Sequence, residues 1–202
     1  MKDLLVFLSD GFEEVEALSV VDILRRGGLS VDTCSIKDSK KVTSSHQVTV
    51  LADVHIDDIK IDNYKACYIP GGQPGATNLQ NDRRIIQIVE MFKEQGKFVA
   101  AICAGPQVLD TAGVLTDEKF TCYPGVEERL KTKKRLDVPV VVDDNIITAM
   151  GPAMAPFLGY ELLKILSGKK KAKEVGDGFL INKIKEFINN IKINNFVIVF
   201  FK

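Results

Sequence analysis

Cys103 is the residue best placed to do chemistry. It lies in VAAICAGPQVL (Val99 to Leu109). Phe98 to Ile102 are apolar and predict a short buried strand, and Ala104, Gly105 and Pro106 lead into a helical pattern. A cysteine in a tight turn between strand and helix has the geometry of a nucleophile elbow. The helix start directs N–H groups and a positive dipole end at the sulfur, which favours the reactive thiolate. Gly71-Gly72 follows Pro70 and reads as a plain turn or as backbone that brings an N–H close to a reacting oxygen. Glu13, Glu14 and Glu16 open a helix, more acids than a helix N-terminus needs. Glu16 is left either as a third such acid or as a site residue.

The elements that must position these residues follow from pattern. Leu4 to Leu8 is a continuous apolar run, the mark of a strand buried on both faces. Glu13 to Arg26 predicts a helix ended by Gly27-Gly28. Leu29 to Ile36, Val48 to Val54, Ala66 to Ile69 and Lys119 to Tyr123 predict strands, and Arg83 to Gln95 a helix. Pro124 suits the first turn of a short helix. Val138 to Val142 and Asn145 to Ala149 flank a hairpin bend, and Met154 to Leu166 is helical. The basic run Lys169 to Lys173 reads as a solvated helix end. Strands alternating with helices imply an α/β sandwich with a mostly parallel sheet. Asp10, Gly71-Gly72 and Cys103 all fall at the carboxyl ends of strands, where such sheets gather ligands.

Composition narrows the class. The 202 residues carry 27 Lys+Arg and 27 Asp+Glu, so no basic excess points to nucleic acid. Cys34, Cys67, Cys103 and Cys122 show no CxxC spacing and only His46 and His55 are present, so no metal site is expected. Cys34 and Cys67 sit mid-strand as core residues; Cys122 either packs or resolves an oxidised Cys103. No leader-like segment and no run of ~20 apolar residues is expected, which fits a cytoplasmic protein with free thiols. One domain is expected over 1–181. The tail 182–202 differs: Ile184, Phe187, Ile188 and Ile191 recur at i, i+3, i+4, i+7, an amphipathic helix pattern, before the apolar run Phe196 to Phe201. That run can dock on the domain, pair with another chain, or aggregate.

Taken together, DGFEEVEA (Asp10 to Ala17), VVDILRRGG (Val20 to Gly28), YIPGG (Tyr68 to Gly72), AAICAGP (Ala100 to Pro106) and MGP (Met150 to Pro152) resemble the ThiJ/PfpI superfamily, in its DJ-1-like, parkinsonism-associated deglycase branch. The resemblance runs from about Lys2 to Leu180. It implies a flavodoxin-like three-layer sandwich, akin to class I glutamine amidotransferases, a homodimer, no cofactor, and an elbow cysteine at Cys103. It implies that Glu16 hydrogen-bonds to the sulfur and that N–H groups of Gly72 and Ala104 face it. Glu16 must then be protonated, its pKa raised by burial and the neighbouring charge. Cys122-Tyr123-Pro124 departs from the Thr-His-Pro segment of many members, which puts a cysteine–histidine dyad in doubt. Tyr123, Gly71 and His46 are expected to line the site, His46 from the place where animal members carry arginine. Asp22 and Arg26, an i, i+4 pair on one helix face, form a solvated pair on spacing alone and a dimer contact by resemblance.

The function implied is a glyoxalase or deglycase acting on methylglyoxal-type α-oxoaldehydes or their protein and nucleotide adducts. Two rivals remain: a redox sensor or stress chaperone working through Cys103 oxidation, and a cysteine peptidase or amidase with His46 as base.

Overall fold

The computed structural model describes residues 1–132, 134–181, 183, 184 and 186. Its elements are, in order, β1 (Lys2–Leu8), α1 (Glu14–Arg26), β2 (Val31–Ser35), β3 (Lys41–Thr43), β4 (Thr49–Leu51), β5 (Val54–His55), β6 (Tyr64–Ile69), α2 (Gly75–Asn81), α3 (Arg83–Glu94), β7 (Phe98–Ile102), α4 (Pro106–Thr111), β8 (Val140–Asp143), β9 (Ile146–Ala149), α5 (Ala155–Ser167) and α6 (Lys169–Gly178).

Seven strands form one sheet in the order β5-β2-β1-β6-β7-β9-β8. All pairs are parallel except β8 with β9. The central parallel strands β2-β1-β6-β7-β9 have the flavodoxin-like order, with its switch point between β1 and β6. Alternation along β1 divides the core. Leu5 and Phe7 face one layer, with Leu79 of α2, Ile85, Val89 and Phe92 of α3 and Val108 of α4. Leu4, Val6 and Leu8 face the other, with Val20, Val21 and Leu24 of α1 and Leu158 and Leu162 of α5. Both sides of the sheet are therefore covered, as its continuous apolar strands require, and the expected three-layer α/β architecture is present. Ile23, Leu163, Ala172 and Val175 join α6 to α1 and α5.

Several local expectations need correction. Lys119 to Tyr123 is no strand, only the site of an isolated bridge between Phe120 and Arg135. Side chains take the ladder's place there: Lys119 N–H donates to Asp143 (2.7 Å) and Thr121 N–H to Thr148 Oγ1 (2.9 Å). Val48 to Val54 splits between β4, which pairs only with β3, and β5, which pairs with β2. Ala52 N–H turns away to Lys40 O (2.8 Å) at the break. Pro124 precedes rather than opens the one-turn 3-10 helix Val126–Arg129, whose cap is Gly125 at φ +89°. Lys169 to Lys173 does not end a helix but begins α6, where Lys171 pairs with Glu174 (2.8 Å) and Lys173 with Asp177 (2.6 Å). The expected tail helix lies mostly outside the described residues. No helix among the described residues is long and apolar enough to cross a membrane.

Candidate active site

The site is assembled from three strand ends beside the switch point. Cys103 follows β7 directly and holds φ +60°, an uncommon conformation for a residue with a side chain. Both of its peptide groups are tied down: its N–H donates to Ala149 O and its carbonyl accepts from Tyr123 N–H, each at 3.0 Å. Gly105 lets the turn close, since a Cβ there would sit 2.5 Å from Ile69 O and 2.9 Å from Ile102 O. Cys103 is partly exposed, whereas Cys34, Cys67 and Cys122 are buried. Burial raises the Cys34 thiol to about 12 and the Cys122 thiol to about 11. Cys122 is buried and donates to Glu127 Oε2 (3.7 Å).

Glu16 enters from the first turn of α1. Glu13 caps that helix, its carboxylate accepting the Glu16 N–H at 2.6 Å. The Glu16 side chain is fully buried. Its Oε2 accepts from Gly71 N–H at 2.7 Å, while Oε1 has no conventional hydrogen-bond partner among the described residues. The remaining polar neighbour of the carboxyl is the Cys103 thiol. Burial raises the Glu16 carboxyl to about 7, partly offset by the bonds from Gly71 and the thiol.

Burial and the charge of an ionised Glu16 push the Cys103 thiol well above its ordinary value; N–H groups of Ala104 and Gly72 oppose this. The elbow and helix start alone predict a shift in the other direction. The helix is also short, six residues in α4. The carboxyl and thiol thus compete for one proton, and sulfur becomes anionic when Glu16 takes it.

Gly71 is where these parts meet. A Cβ there would lie 2.6 Å from Glu16 Oε2, 2.8 Å from Cys103 Cβ and 3.1 Å from Ala104 N. Gly72 has φ +87°, and a Cβ on it would lie 2.3 Å from Glu13 N. Glu13 N–H donates to Gly71 O (3.0 Å), locking this loop to α1. Tyr68, buried in β6, donates its hydroxyl to Glu16 O (3.1 Å). Sequence reasoning passed over Tyr68 because a tyrosine in an apolar run looks like core. It also passed over α2, announced only by Pro74-Gly75; a Cβ on Gly75 would meet Phe12 N at 2.6 Å.

Tyr123 is half-exposed, and an ideal Cβ on Gly151 would lie 3.3 Å from its Cδ2. His46 is carried by the β3–β4 hairpin and is exposed; its partners are Glu14 Oε1 (3.1 Å) and Ser45 Oγ (3.3 Å) rather than the thiol. Asp10 anchors that hairpin by accepting Thr43 N–H (2.9 Å) and pairing with Lys37. Asp22 and Arg26 form an exposed pair within α1 (2.7 Å), with Arg26 also over the Phe179 ring. Glu13, Glu14 and His46 bring ligand atoms within 4.8 Å of one another, but Glu13 is already engaged as the α1 cap.

Comparison with known proteins agrees with this architecture. The DJ-1/PfpI family model matches residues 2–165. Protein dj-1beta of Drosophila melanogaster is 31% identical over 182 residues, covering 89% of this chain and 97% of that protein. A protein of Schizosaccharomyces pombe described as glutathione-independent glyoxalase DJ-1 is 31% identical over 180 residues, covering 84% of this chain and 94% of that one. Among solved structures, oxidized Toxoplasma gondii DJ-1 superposes with a TM-score of 0.85 at 35% identity, covering 89% of this chain and 98% of that chain.

Proposed function

Because the chain belongs to the DJ-1/PfpI family, we propose that its Cys103–Glu16 site is that of a glyoxalase or deglycase acting on methylglyoxal-type α-oxoaldehydes or their adducts. The observation that carries this reading is a buried carboxyl raised to about 7 beside the partly exposed thiol of an elbow cysteine. A group with a pKa near the working pH can both accept and return a proton.

The steps follow from the placement of atoms. Glu16 takes the thiol proton as Sγ adds to the aldehyde carbon, giving a hemithioacetal. N–H groups of Gly72 and Ala104, which already face the sulfur, donate to the oxygen that gains charge. The protonated Glu16 returns its proton to that oxygen. It then removes the proton from the former aldehyde carbon and delivers it to the adjacent carbon, while the hydroxyl proton passes through the enediol from the first oxygen to the second. The hemithioacetal thereby becomes a thioester, with no net oxidation. Water cleaves the thioester, releasing lactate and restoring the thiol. An adduct enters the same sequence after its carbinolamine collapses, the C–N bond breaking as the hydroxyl proton passes to the departing amine and the aldehyde carbonyl re-forms. The glyoxalase description of the S. pombe relative supports this reading. Lactate production from methylglyoxal is its test. Cys103→Ala should abolish turnover and Glu16→Gln should reduce it by ~100-fold or more; equal rates in all three proteins would remove the proposal.

One observation favours a second role. Of the four cysteines, only Cys103 is accessible, and backbone donors face its sulfur. Peroxide oxidation to a sulfinate held by these N–H groups and Glu16 would make it a redox sensor. Mild peroxide followed by peptide mass mapping tests this; oxygen uptake at Cys34 or Cys67 before Cys103 counts against it. A peptidase role with His46 as base gains no support from the His46 contacts. Homodimerisation also belongs to this proposal: Val15 and Leu18 of α1 and Leu51 of β4 are exposed apolar residues suited to a second copy.

A further inference from the structure

Tyr68 is a buried polar side chain beside the candidate site that the chemistry above does not use. It stands in β6 between Val6 of β1 and Ala100 of β7, in the core layer shared with Ala17 and Val20 of α1. The residue is fully buried, so phenylalanine would fill the same space without the cost of taking a hydroxyl out of water. The partner that hydroxyl finds is the main-chain oxygen of Glu16, 3.1 Å away. Within a helix such an oxygen already accepts from the N–H four residues on, and a carbonyl has a second lone pair to offer. The bond is therefore not needed to complete α1. It adds a tether between β6 and one residue of the first helical turn.

The same segment grips that residue a second time. Three positions beyond Tyr68, Gly71 N–H donates to Glu16 Oε2 at 2.7 Å. From the helix cap, Glu13 Oε2 accepts the Glu16 N–H at 2.6 Å. The main-chain oxygen, the main-chain nitrogen and one carboxyl oxygen are thus each held by a different group. Oε1 is left without a conventional hydrogen-bond partner among the described residues, with the Cys103 thiol as the neighbour of the carboxyl.

We infer that Tyr68 is a positioning residue: its hydroxyl, through the main chain of Glu16, holds that carboxyl in register with the Cys103 sulfur. The inference rests on the proposed glyoxalase reaction for its effect on turnover, and on the Cys103–Glu16 pair alone for its effect on the thiol. In that reaction one carboxyl serves the sulfur and then two neighbouring carbons, so a displacement of about 1 Å costs rate more than affinity. The titratable groups around the carboxyl are Glu13 on α1, Cys103 at the elbow and Tyr68 itself. Burial and the charges of its neighbours keep the Tyr68 hydroxyl protonated, so Tyr68→Phe removes a donor and no charge.

In the full-length protein, Tyr68→Phe should lower kcat for methylglyoxal by ~10-fold while KM changes by less than ~2-fold. Iodoacetamide reads the same site without turnover. Alkylation of Cys103 at neutral pH should slow by ~3-fold or more, because a receding carboxyl no longer takes the thiol proton. In a Glu16→Gln background, adding Tyr68→Phe should change alkylation by less than ~1.5-fold, since the residue it acts through is already disabled. Tyr64→Phe is the control for a strand that is merely loosened. It removes another buried hydroxyl from β6, one bonded to Asp32 at 2.6 Å, and should leave kcat and alkylation unchanged. Tyr68→Phe with wild-type kcat and alkylation overturns the inference. So does an equal slowing in the Glu16→Gln background, or an equal loss from Tyr64→Phe, each of which assigns Tyr68 to packing alone. A wild-type protein that turns over no methylglyoxal removes the glyoxalase reading instead, and the alkylation comparison still decides the role of Tyr68.

Discussion

The buried carboxyl of Glu16 makes a prediction about stability that is independent of any assay of turnover. Its pKa is about 7 in the folded protein against an ordinary 4.5, because burial disfavours the charged form more than the Gly71 and thiol hydrogen bonds favour it. A raised native pKa means that the native state holds a proton the unfolded chain has lost. The contribution of Glu16 to stability is therefore fully present below about pH 4.5 and is lost as pH rises through 7. At about 1.4 kcal/mol per pH unit across that window, the loss is roughly 3 kcal/mol. Glu16→Gln keeps the shape and removes the titration. Urea unfolding of both proteins from pH 4 to 8 should give curves that differ in slope, not merely in offset. The difference should accumulate between pH 4.5 and 7 and level off above. Parallel curves would refute the reasoning. The same measurement in a Cys103→Ala background shows where the charge resides. If the neutral thiol donates to the carboxylate, removing it raises Glu16 and extends the window upward. A downward shift would mean that the sulfur carries the negative charge near neutrality.

Four further outcomes follow. Gly71→Ala would drive a methyl group to 2.6 Å from Glu16 Oε2 and 2.8 Å from Cys103 Cβ; we expect ~1–3 kcal/mol lost to chemical denaturation, with methylglyoxal turnover falling by at least ~100-fold as the pair is displaced. Alkylation of the native protein by iodoacetamide should modify Cys103 first, and peptide mapping that finds Cys122 labelled earlier would contradict its burial. Glu118 is held at about 2, burial notwithstanding, by its Lys93 partner at 2.9 Å. This stabilisation is present above pH 4.5 and vanishes as pH falls through 2; the Thr116 and Asp117 N–H groups share in it, so Lys93→Met should flatten the acid limb of stability by about 1 kcal/mol. Leu18→Asp should halve the mass measured by sedimentation if the outer face of α1 joins two copies.

How much of this was legible in the chain depends on how each residue's partner is encoded. The strands β1, β6 and β7 announce themselves because burial on both faces requires unbroken apolar runs, and the punctuation after them places Asp10, Gly71 and Cys103 at one edge. The hairpin β8–β9 reads equally well from Asp143-Asp144. Segment 119–123 misleads because its apolar residues are buried in irregular chain, with Thr148 and Asp143 side chains substituting for a ladder. Residues 48–54 mislead because alternation cannot tell which of two sheets a short strand joins. Within the site, the elbow was readable from local order alone. The direction of the thiol shift was not. It depends on a carboxylate 87 positions away in the chain, and no local pattern weighs that charge against the two N–H groups. Tyr68 and Gly75 were equally hidden, since their roles are contacts with α1 and Phe12 rather than properties of their own neighbourhoods.

The anchoring of Cys103 by its two peptide groups constrains what can be turned over. With the main chain fastened to Ala149 on one side and Tyr123 on the other, the sulfur has little more than one torsion through which to sweep. A nucleophile on so short a leash does not travel to meet its target. The electrophilic carbon must come the whole distance, which admits compact molecules and the ends of flexible arms while turning away carbonyls embedded in rigid, folded surfaces. Selection by reach, rather than by a tailored recognition pocket, would let one centre serve a broad range of small carbonyl species.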